Sequence, residues 1–157
     1  MLNAPQSDTE FGANDLMFAQ MMIPHHEQAI EMSLLAPGRA ENPLILELAS
    51  EILAEQDPEI EIMQSWLTEA GVGLQMDHQM PMSGMLSEAD LEQLRAATGA
   101  EFEKLFLTGM IAHHEGAIQM AAMVVTSAND QARALGESII KSQRLQITYM
   151  QELLGSY

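Results

Sequence analysis

Cysteine is absent from the 157 residues of this chain, and basic residues are scarce. Without cysteine the protein can form no disulfide, no thiolate metal site and no cysteine nucleophile. Six Lys and Arg residues stand against 23 Asp and Glu residues, so the formal net charge is −17 at pH 7. A chain this acidic is repelled by nucleic acid and by anionic membrane surfaces. It attracts cations, metal ions among them.

Long apolar runs are missing as well. No window of about eighteen uncharged apolar residues occurs, so insertion into a membrane is not expected. The segment 1–18 has neither the basic start nor the apolar stretch of a signal peptide. Nucleophile-elbow, phosphate-loop and dinucleotide-binding motifs are also missing, so an enzyme is not predicted.

Methionine and histidine, by contrast, are concentrated in a repeated segment. The stretch 15–32 contains Met-Ile-Pro-His-His-Glu-Gln-Ala-Ile, and the stretch 103–120 contains Met-Ile-Ala-His-His-Glu-Gly-Ala-Ile. Nine of the eighteen aligned positions are identical. Four of the 5 histidines lie in these two stretches, and the chain has 14 methionines. We interpret the chain as two copies of one helical unit.

Apolar residues recur in both copies at steps of three and four, the spacing of a helix that buries one face in a bundle. Two helical hairpins joined by a long cross-connection predict an all-α four-helix bundle. The predicted long helices are about 13–36, 43–70, 100–127 and 130–154, with a short helix over 87–97.

One domain is expected to cover 13–157, because this length suffices for a single hydrophobic core. Its two repeated halves would be about 13–71 and 100–154. The polar segment 1–12 is expected to be flexible.

The histidines fall on the helix faces in a definite pattern. His25 and His113 lie on the apolar stripes and are expected to face the bundle interior. His26 and His114, about 100° further round the helix, are expected at the stripe edges. Thioether and imidazole donors together suit Cu(I), and imidazole also suits Cu(II) and zinc. The methionines that accompany the two histidine pairs on these helices are Met22, Met32, Met110 and Met120.

Polar residues are predicted opposite the histidines on the apolar stripes. In antiparallel hairpins Gln56 lies level with His25, Gln143 lies level with His113, and Glu59 lies close by. A buried polar group needs a hydrogen-bond partner, so these residues could orient the imidazoles from outside a metal site. Further ligands or hydrogen bonds could come from Met63, Met150, Glu27 and Glu115.

The segment 74–86 connects the two halves. It contains Gly and Pro and has no helical stripe of its own. It could collect Cu(I) as a flexible arm, or its methionines could cover the open end of the bundle. Its candidate ligands are Met76, His78, Met80, Met82 and Met85.

Three interpretations of the Met/His pattern remain open. Methionine is a common core filler, so the chain could be a structural or interaction bundle with a Met/His core and no metal. The duplicated His-His flanked by Met favours a soft metal site. A di-iron centre, as in an oxidase, needs Glu-x-x-His on the ligand helices. That pattern fails, because the residues three positions before the histidines are Met22, Ile23, Met110 and Ile111.

The chain resembles the bacterial domain-of-unknown-function 305 family from about residue 15 to residue 154. The similar segments are Met-Ile-Pro-His-His-Glu-Gln-Ala-Ile at 22–30, Gln-Asp-Pro-Glu-Ile-Glu-Ile-Met-Gln-Ser-Trp at 56–66 and Phe-Leu-Thr-Gly-Met-Ile-Ala-His-His-Glu-Gly-Ala-Ile at 106–118. The chain departs from the usual motif at Ala112, where proline is common. It also has Gln146 where the first half has Glu59, so the two halves could bind metal unequally.

This resemblance implies a ferritin-like four-helix fold and an exported protein, periplasmic or extracellular. It also implies copper binding, as in the members tied to copper resistance. On this basis we expect a non-enzymatic protein that chelates, stores or chaperones copper, with Cu(I) favoured, Cu(II) second and zinc as the alternative. A homodimer or a copper-handling protein partner would be compatible with that role. The ligands implied by the resemblance are His25, His26, His113, His114, Met22, Met32, Met110 and Met120.

Overall fold

The computed structural model describes residues 10–74 and 82–157. Within these ranges it contains helices and turns but no β-strand, so the predicted all-α class is confirmed. None of the helices in this part of the chain combines the length and the apolarity needed to cross a lipid bilayer. The helices in chain order are α1 (Ala13–Leu35), α2 (Pro43–Ala70), α3 (Glu88–Ala96), α4 (Gly99–Ala121) and α5 (Asp130–Leu154).

Local sequence signals fix where α2 begins and ends and where α5 begins. The side chain of Asn42 accepts a hydrogen bond from the Leu44 amide at the start of α2, and Asn129 caps α5 in the same way. Gly71 ends α2 in the left-handed conformation with φ of 70°, which is accessible to glycine at little cost. The predicted bounds 43–70 and 130–154 are therefore confirmed.

Two predicted boundaries differ from the structure. The third long helix was expected to reach residue 127, but α4 ends at Ala121 and turns follow. The sequence there is Val124-Val125-Thr126, and β-branched residues disfavour the helix. The flexible segment was expected to extend to residue 12, yet the ring of Phe11 stacks on Trp66 with a centroid separation of 5.0 Å. Residues 1–9 lie outside the described ranges.

The long helices form two hairpins that pack on each other through α1 and α4. Helix α1 contacts α2, and α4 contacts α5, as the repeat predicts. Helix α3, in the cross-connection, packs against both α1 and α4. Phe18 near the start of α1 shares a buried cluster with Met120 near the end of α4. Helices α1 and α4 are therefore antiparallel.

The core consists of two apolar clusters rather than one. The first cluster contains Met32 from α1, Met110 from α4 and Met150 from α5. The repeat maps these three residues onto Met120, Met22 and Met63, which all lie in the second cluster. Each cluster thus combines the turn end of one helical hairpin with the open end of the other.

Candidate metal centre

Buried polar side chains separate the two apolar clusters at the middle of the bundle. On each of the four long helices these residues lie between residues of one cluster and residues of the other. No member of the set is more than 8% exposed. We call this set the polar layer, and it consists of His25, His26, Gln56, His113, His114, Gln143 and Gln146.

Both histidines of each adjacent pair are buried. His26 and His114 were expected at the edges of the apolar stripes, but each is 0% exposed, so this part of the sequence prediction is wrong. The reason is that α1 and α4 each pack on two neighbouring long helices. The second histidine of each pair contacts the partner helix of its own hairpin: His26 contacts Glu59, and His114 contacts Gln146.

His25 and His113 meet across the interface between α1 and α4. Their ring centroids are 3.8 Å apart, and the ring planes are inclined by 32°. Burial, together with the neighbouring imidazoles, lowers the pKa of His25 to about 4 and the pKa of His113 well below 6.5. For His25 a hydrogen bond to the Ser83 carbonyl partly opposes this shift. Both rings are therefore neutral near pH 7, the state in which imidazole can bind a metal ion.

Three of the four imidazoles donate Nε2–H to a fixed oxygen. Carbonyl, amide and carboxylate oxygens accept hydrogen bonds, so Nε2 carries the proton in each of these rings. Burial also lowers the pKa of His114 to about 4. In the neutral rings of His25 and His114 the lone pair then lies on Nδ1. The three hydrogen bonds are His25 to the Ser83 carbonyl at 3.0 Å, His26 to Glu59 Oε1 at 2.8 Å and His114 to Gln146 Oε1 at 2.6 Å.

Several polar atoms of this layer are left without a hydrogen-bond partner. Leaving a buried polar atom unpaired costs about 1–3 kcal/mol. A ligand that coordinated the imidazole nitrogens would remove part of this cost. Counting partners among residues 10–74 and 82–157 only, the unpaired atoms are Nδ1 of His25, His26, His113 and His114, Nε2 of His113, and Oε1 of Gln56 and Gln143.

The two glutamines do not play the part that the sequence suggested. Gln56 and Gln143 were expected to orient His25 and His113 through hydrogen bonds. Their Oε1 atoms are buried and have no partner in the described part of the chain. Ser83 takes this role for His25 instead.

The methionines flank the polar layer from both sides. Met22, Met63 and Met120 belong to the second apolar cluster, and their counterparts Met32, Met110 and Met150 belong to the first. All six are at most 5% exposed. A thioether is apolar enough to be buried without a hydrogen bond, so methionine fills the core and still brings sulfur next to the polar layer.

The remaining predicted residues lie elsewhere. Glu27 and Glu115 are exposed, away from the buried rings. Met82 packs against the second cluster, and Met85 is half-buried. The positions of Met76, His78 and Met80 fall outside the described residues.

Two residues that hold imidazoles were not recognised as such in the sequence. Gln146 could have been found, because the repeat places it where the first half has Glu59. Ser83 could not, because it lies in the cross-connection 58 positions from His25. Gln146 in turn donates its amide N–H to Glu55 Oε2 at 2.9 Å.

Within the described ranges no group of three or more His, Asp or Glu side chains is arranged to hold a metal ion. The imidazoles of the polar layer instead occur as a contacting pair, His25 with His113, and as two single rings in the hairpin interfaces. A metal site built here would combine imidazole nitrogen with methionine sulfur.

The sequence model of the family described as a domain of unknown function, DUF305, matches residues 15–154. The chain belongs to the DUF305 family. A solved DUF305 protein from Streptomyces coelicolor, described as a candidate secreted protein, has the same fold with a TM-score of 0.86. It is 28% identical to this chain, and the match covers 91% of this chain and 93% of the other.

CopM is similar to this DUF305 protein as well. In its Cu(I)-bound form CopM is 31% identical, with a TM-score of 0.76 over 90% of this chain and 96% of CopM. CopM is also known with Cu(II), with silver and in an apo form. Among curated proteins, an uncharacterised protein of Acanthamoeba polyphaga mimivirus is 39% identical over 61 residues. That match covers 39% of this chain and 40% of the viral protein, so the chain matches well under half of that relative's length.

The lowered pKa values predict how the stability of the metal-free protein depends on pH. Unfolded histidine has a pKa of about 6.5, whereas His25 and His114 titrate near 4 in the fold. Between these values the unfolded chain binds protons that the folded chain does not. The free energy of unfolding should therefore be unaffected by these groups above pH 6.5. Below it, stability should fall by about 1.4 kcal/mol per pH unit for each histidine.

Thermal melts in a chelating buffer between pH 7.5 and pH 4.5 would measure this dependence. His25→Gln keeps a side-chain N–H for the Ser83 carbonyl but removes the titrating ring, so its profile should be shallower than that of the wild type. Equal slopes for the two proteins, or a melting temperature constant from pH 7 to pH 5, would contradict the assignment.

Proposed function

We propose that this protein binds copper, preferentially Cu(I), at the polar layer and its flanking methionines, and that it chelates, stores or chaperones the ion. The observation that carries the proposal is the layer itself. Four imidazoles are at most 1% exposed, and each has at least one nitrogen without a protein partner among the described residues. Methionine sulfur lies in the apolar clusters on both sides of them.

The chemistry of these donors suits Cu(I). Thioethers are soft ligands and imidazoles are intermediate ones, and Cu(I) accepts both. A structural zinc site instead takes four ligands drawn from Cys, His and carboxylates. The neutral rings of His25 and His114 can coordinate without first losing a proton near pH 7. Their Nε2–H groups are already held by Ser83 and Gln146, which fixes each ring before any metal arrives.

The relatives and the charge of the chain support the same proposal. CopM, which shares the fold, has been obtained with Cu(I), Cu(II) and silver bound. The net charge of −17 favours the approach of cations. The description of the Streptomyces coelicolor relative as a candidate secreted protein supports a location in the bacterial envelope. We propose no reaction, because binding and release of an ion account for the donors at the layer.

Removing an imidazole of the contacting pair should weaken Cu(I) binding. Loss of a residue that hydrogen-bonds to a metal ligand lowers metal affinity by about 10- to 100-fold. We expect His25→Gln and His113→Gln, which remove a ligand itself, each to lower the Cu(I) affinity by more than that. Competition with a chromophoric Cu(I) chelator would measure this, with circular dichroism to check that each variant is folded. Retention of full affinity in both folded variants would rule out the buried pair as ligands.

Removing sulfur without removing volume should weaken Cu(I) binding but leave the fold intact. Met22→Leu and Met110→Leu are volume-conserving changes in the two apolar clusters, and such changes usually cost less than about 1.5 kcal/mol of stability. Met17→Leu is the matched control, since Met17 is 43% exposed and remote from the layer. Chelator competition and thermal melts on the three variants test this. If Met22→Leu and Met110→Leu bind Cu(I) as tightly as Met17→Leu does, the thioethers are core filler only.

A further inference from the structure

The segment Met82–Leu86, which we call the strap, crosses the interface between α1 and α4 above the buried histidine pair. The carbonyl of Ser83 accepts a hydrogen bond from His25 Nε2 at 3.0 Å. The side chain of Gln28 on α1 forms two hydrogen bonds with the main chain of Leu86: its Nε2 donates to the carbonyl at 3.1 Å, and its Oε1 accepts from the amide at 2.8 Å. The strap is therefore fastened to α1 at two points.

Glycines allow the strap to lie directly on α4. A Cβ at Gly116 would stand 1.9 Å from the Ser83 carbonyl oxygen, and a Cβ at Gly84 would stand 2.2 Å from the Ala112 carbonyl oxygen. Gly84 also has a φ of +78°, which side-chain-bearing residues rarely adopt. The Ser83 hydroxyl donates to Gln119 Oε1 at 2.8 Å and adds a third fastening, on α4.

The strap is also a thin cover. His25 is 0% exposed, yet the residue whose carbonyl it contacts, Ser83, is itself exposed. A single layer of main chain therefore separates this imidazole from solvent. On their other sides the histidines are enclosed by the packed helices α2 and α5. The strap is five residues long and is held by these hydrogen bonds and by the packing of Met82 and Leu86 against the edges of the two apolar clusters. Lifting so short a segment requires less free energy than separating packed helices.

We propose that the strap is the gate to the histidine pair. The pair becomes accessible when Met82–Leu86 lifts from α1 and α4, while the helical bundle stays assembled. That copper is the ion admitted rests on the function proposed above. The strap carries Met82 and Met85, so a lifting motion would move two thioethers together with the Ser83 carbonyl that holds His25.

Chemical modification of histidine tests the gate without any metal. Diethyl pyrocarbonate reacts with accessible neutral imidazole, and mass spectrometry locates the product. Gly116→Ala should prevent the strap from seating and raise the modification rate of His25 and His113 by about tenfold or more, the change produced by about 1.4 kcal/mol. His26 and His114, which contact α2 and α5, should stay protected and serve as internal references.

Three further variants make the result specific. Gly73→Ala is the neutral control, because its added Cβ meets nothing within 4 Å. Gly136→Ala is the control for general loosening, because its Cβ would stand 2.6 Å from Val124 Cγ2, away from the strap. Gln28→Met keeps the side-chain volume but removes both hydrogen bonds to Leu86, and it should expose His25 selectively even if Gly116→Ala does not fold.

Two outcomes would overturn the gate. In one, His25 stays protected in both Gly116→Ala and Gln28→Met. In the other, these variants expose all four histidines of the polar layer to the same extent, which is the pattern of general loosening that Gly136→Ala controls for. Measuring Cu(I) transfer from a chelator to the same variants separates this proposal from the proposed function. Selective modification of His25 without any Cu(I) uptake would uphold the gate and refute copper binding. Cu(I) uptake without selective modification of His25 would support copper binding and refute the gate.

Discussion

The burial of four imidazoles in the middle of an apolar bundle determines how the residues around them are arranged. Burying a polar group without a hydrogen-bond partner costs free energy, so the surrounding residues must hold the polar layer in place. Two apolar clusters enclose it from above and below. Three oxygens fix the rings of His25, His26 and His114. The same burial keeps His25 and His114 neutral down to a pH of about 4, so desolvation that is costly to the fold prepares the rings to act as ligands.

The two halves of the layer are related by the repeat but differ in chemistry. Glu59 accepts the hydrogen bond from His26, whereas the amide of Gln146 accepts the one from His114. A hydrogen bond to an anionic acceptor raises the basicity of the other imidazole nitrogen more than a hydrogen bond to a neutral acceptor does. His114 reaches a carboxylate only indirectly, because Gln146 lies between it and Glu55 of α2 and donates a hydrogen bond to Glu55. Burial and the charge of Glu59 raise the pKa of Glu55. The two histidine pairs therefore differ in their hydrogen-bond partners, and a metal ion bound at both would meet two different environments.

Much of the fold could be predicted from the sequence, and less of the site. Apolar spacing located α2 and α5. The repeat drew attention to the histidines and methionines that the structure places in and beside the polar layer. The spacing of one helix could not reveal that His26 and His114 are buried, because this depends on a second neighbouring helix. Nor could it reveal the pKa of any ring, which depends on burial. The contact between Ser83 and His25 joins residues 58 positions apart through a segment without periodicity, so no local pattern encodes it.

Buried imidazole and thioether are proposed to act together on one ion. X-ray absorption spectroscopy at the copper edge, on protein loaded with one equivalent of Cu(I), tests this most directly, because it distinguishes nitrogen from sulfur neighbours. We expect both kinds of scatterer around the same copper. A spectrum with nitrogen or oxygen neighbours alone, or a protein that retains no copper after removal of excess ion, would contradict it.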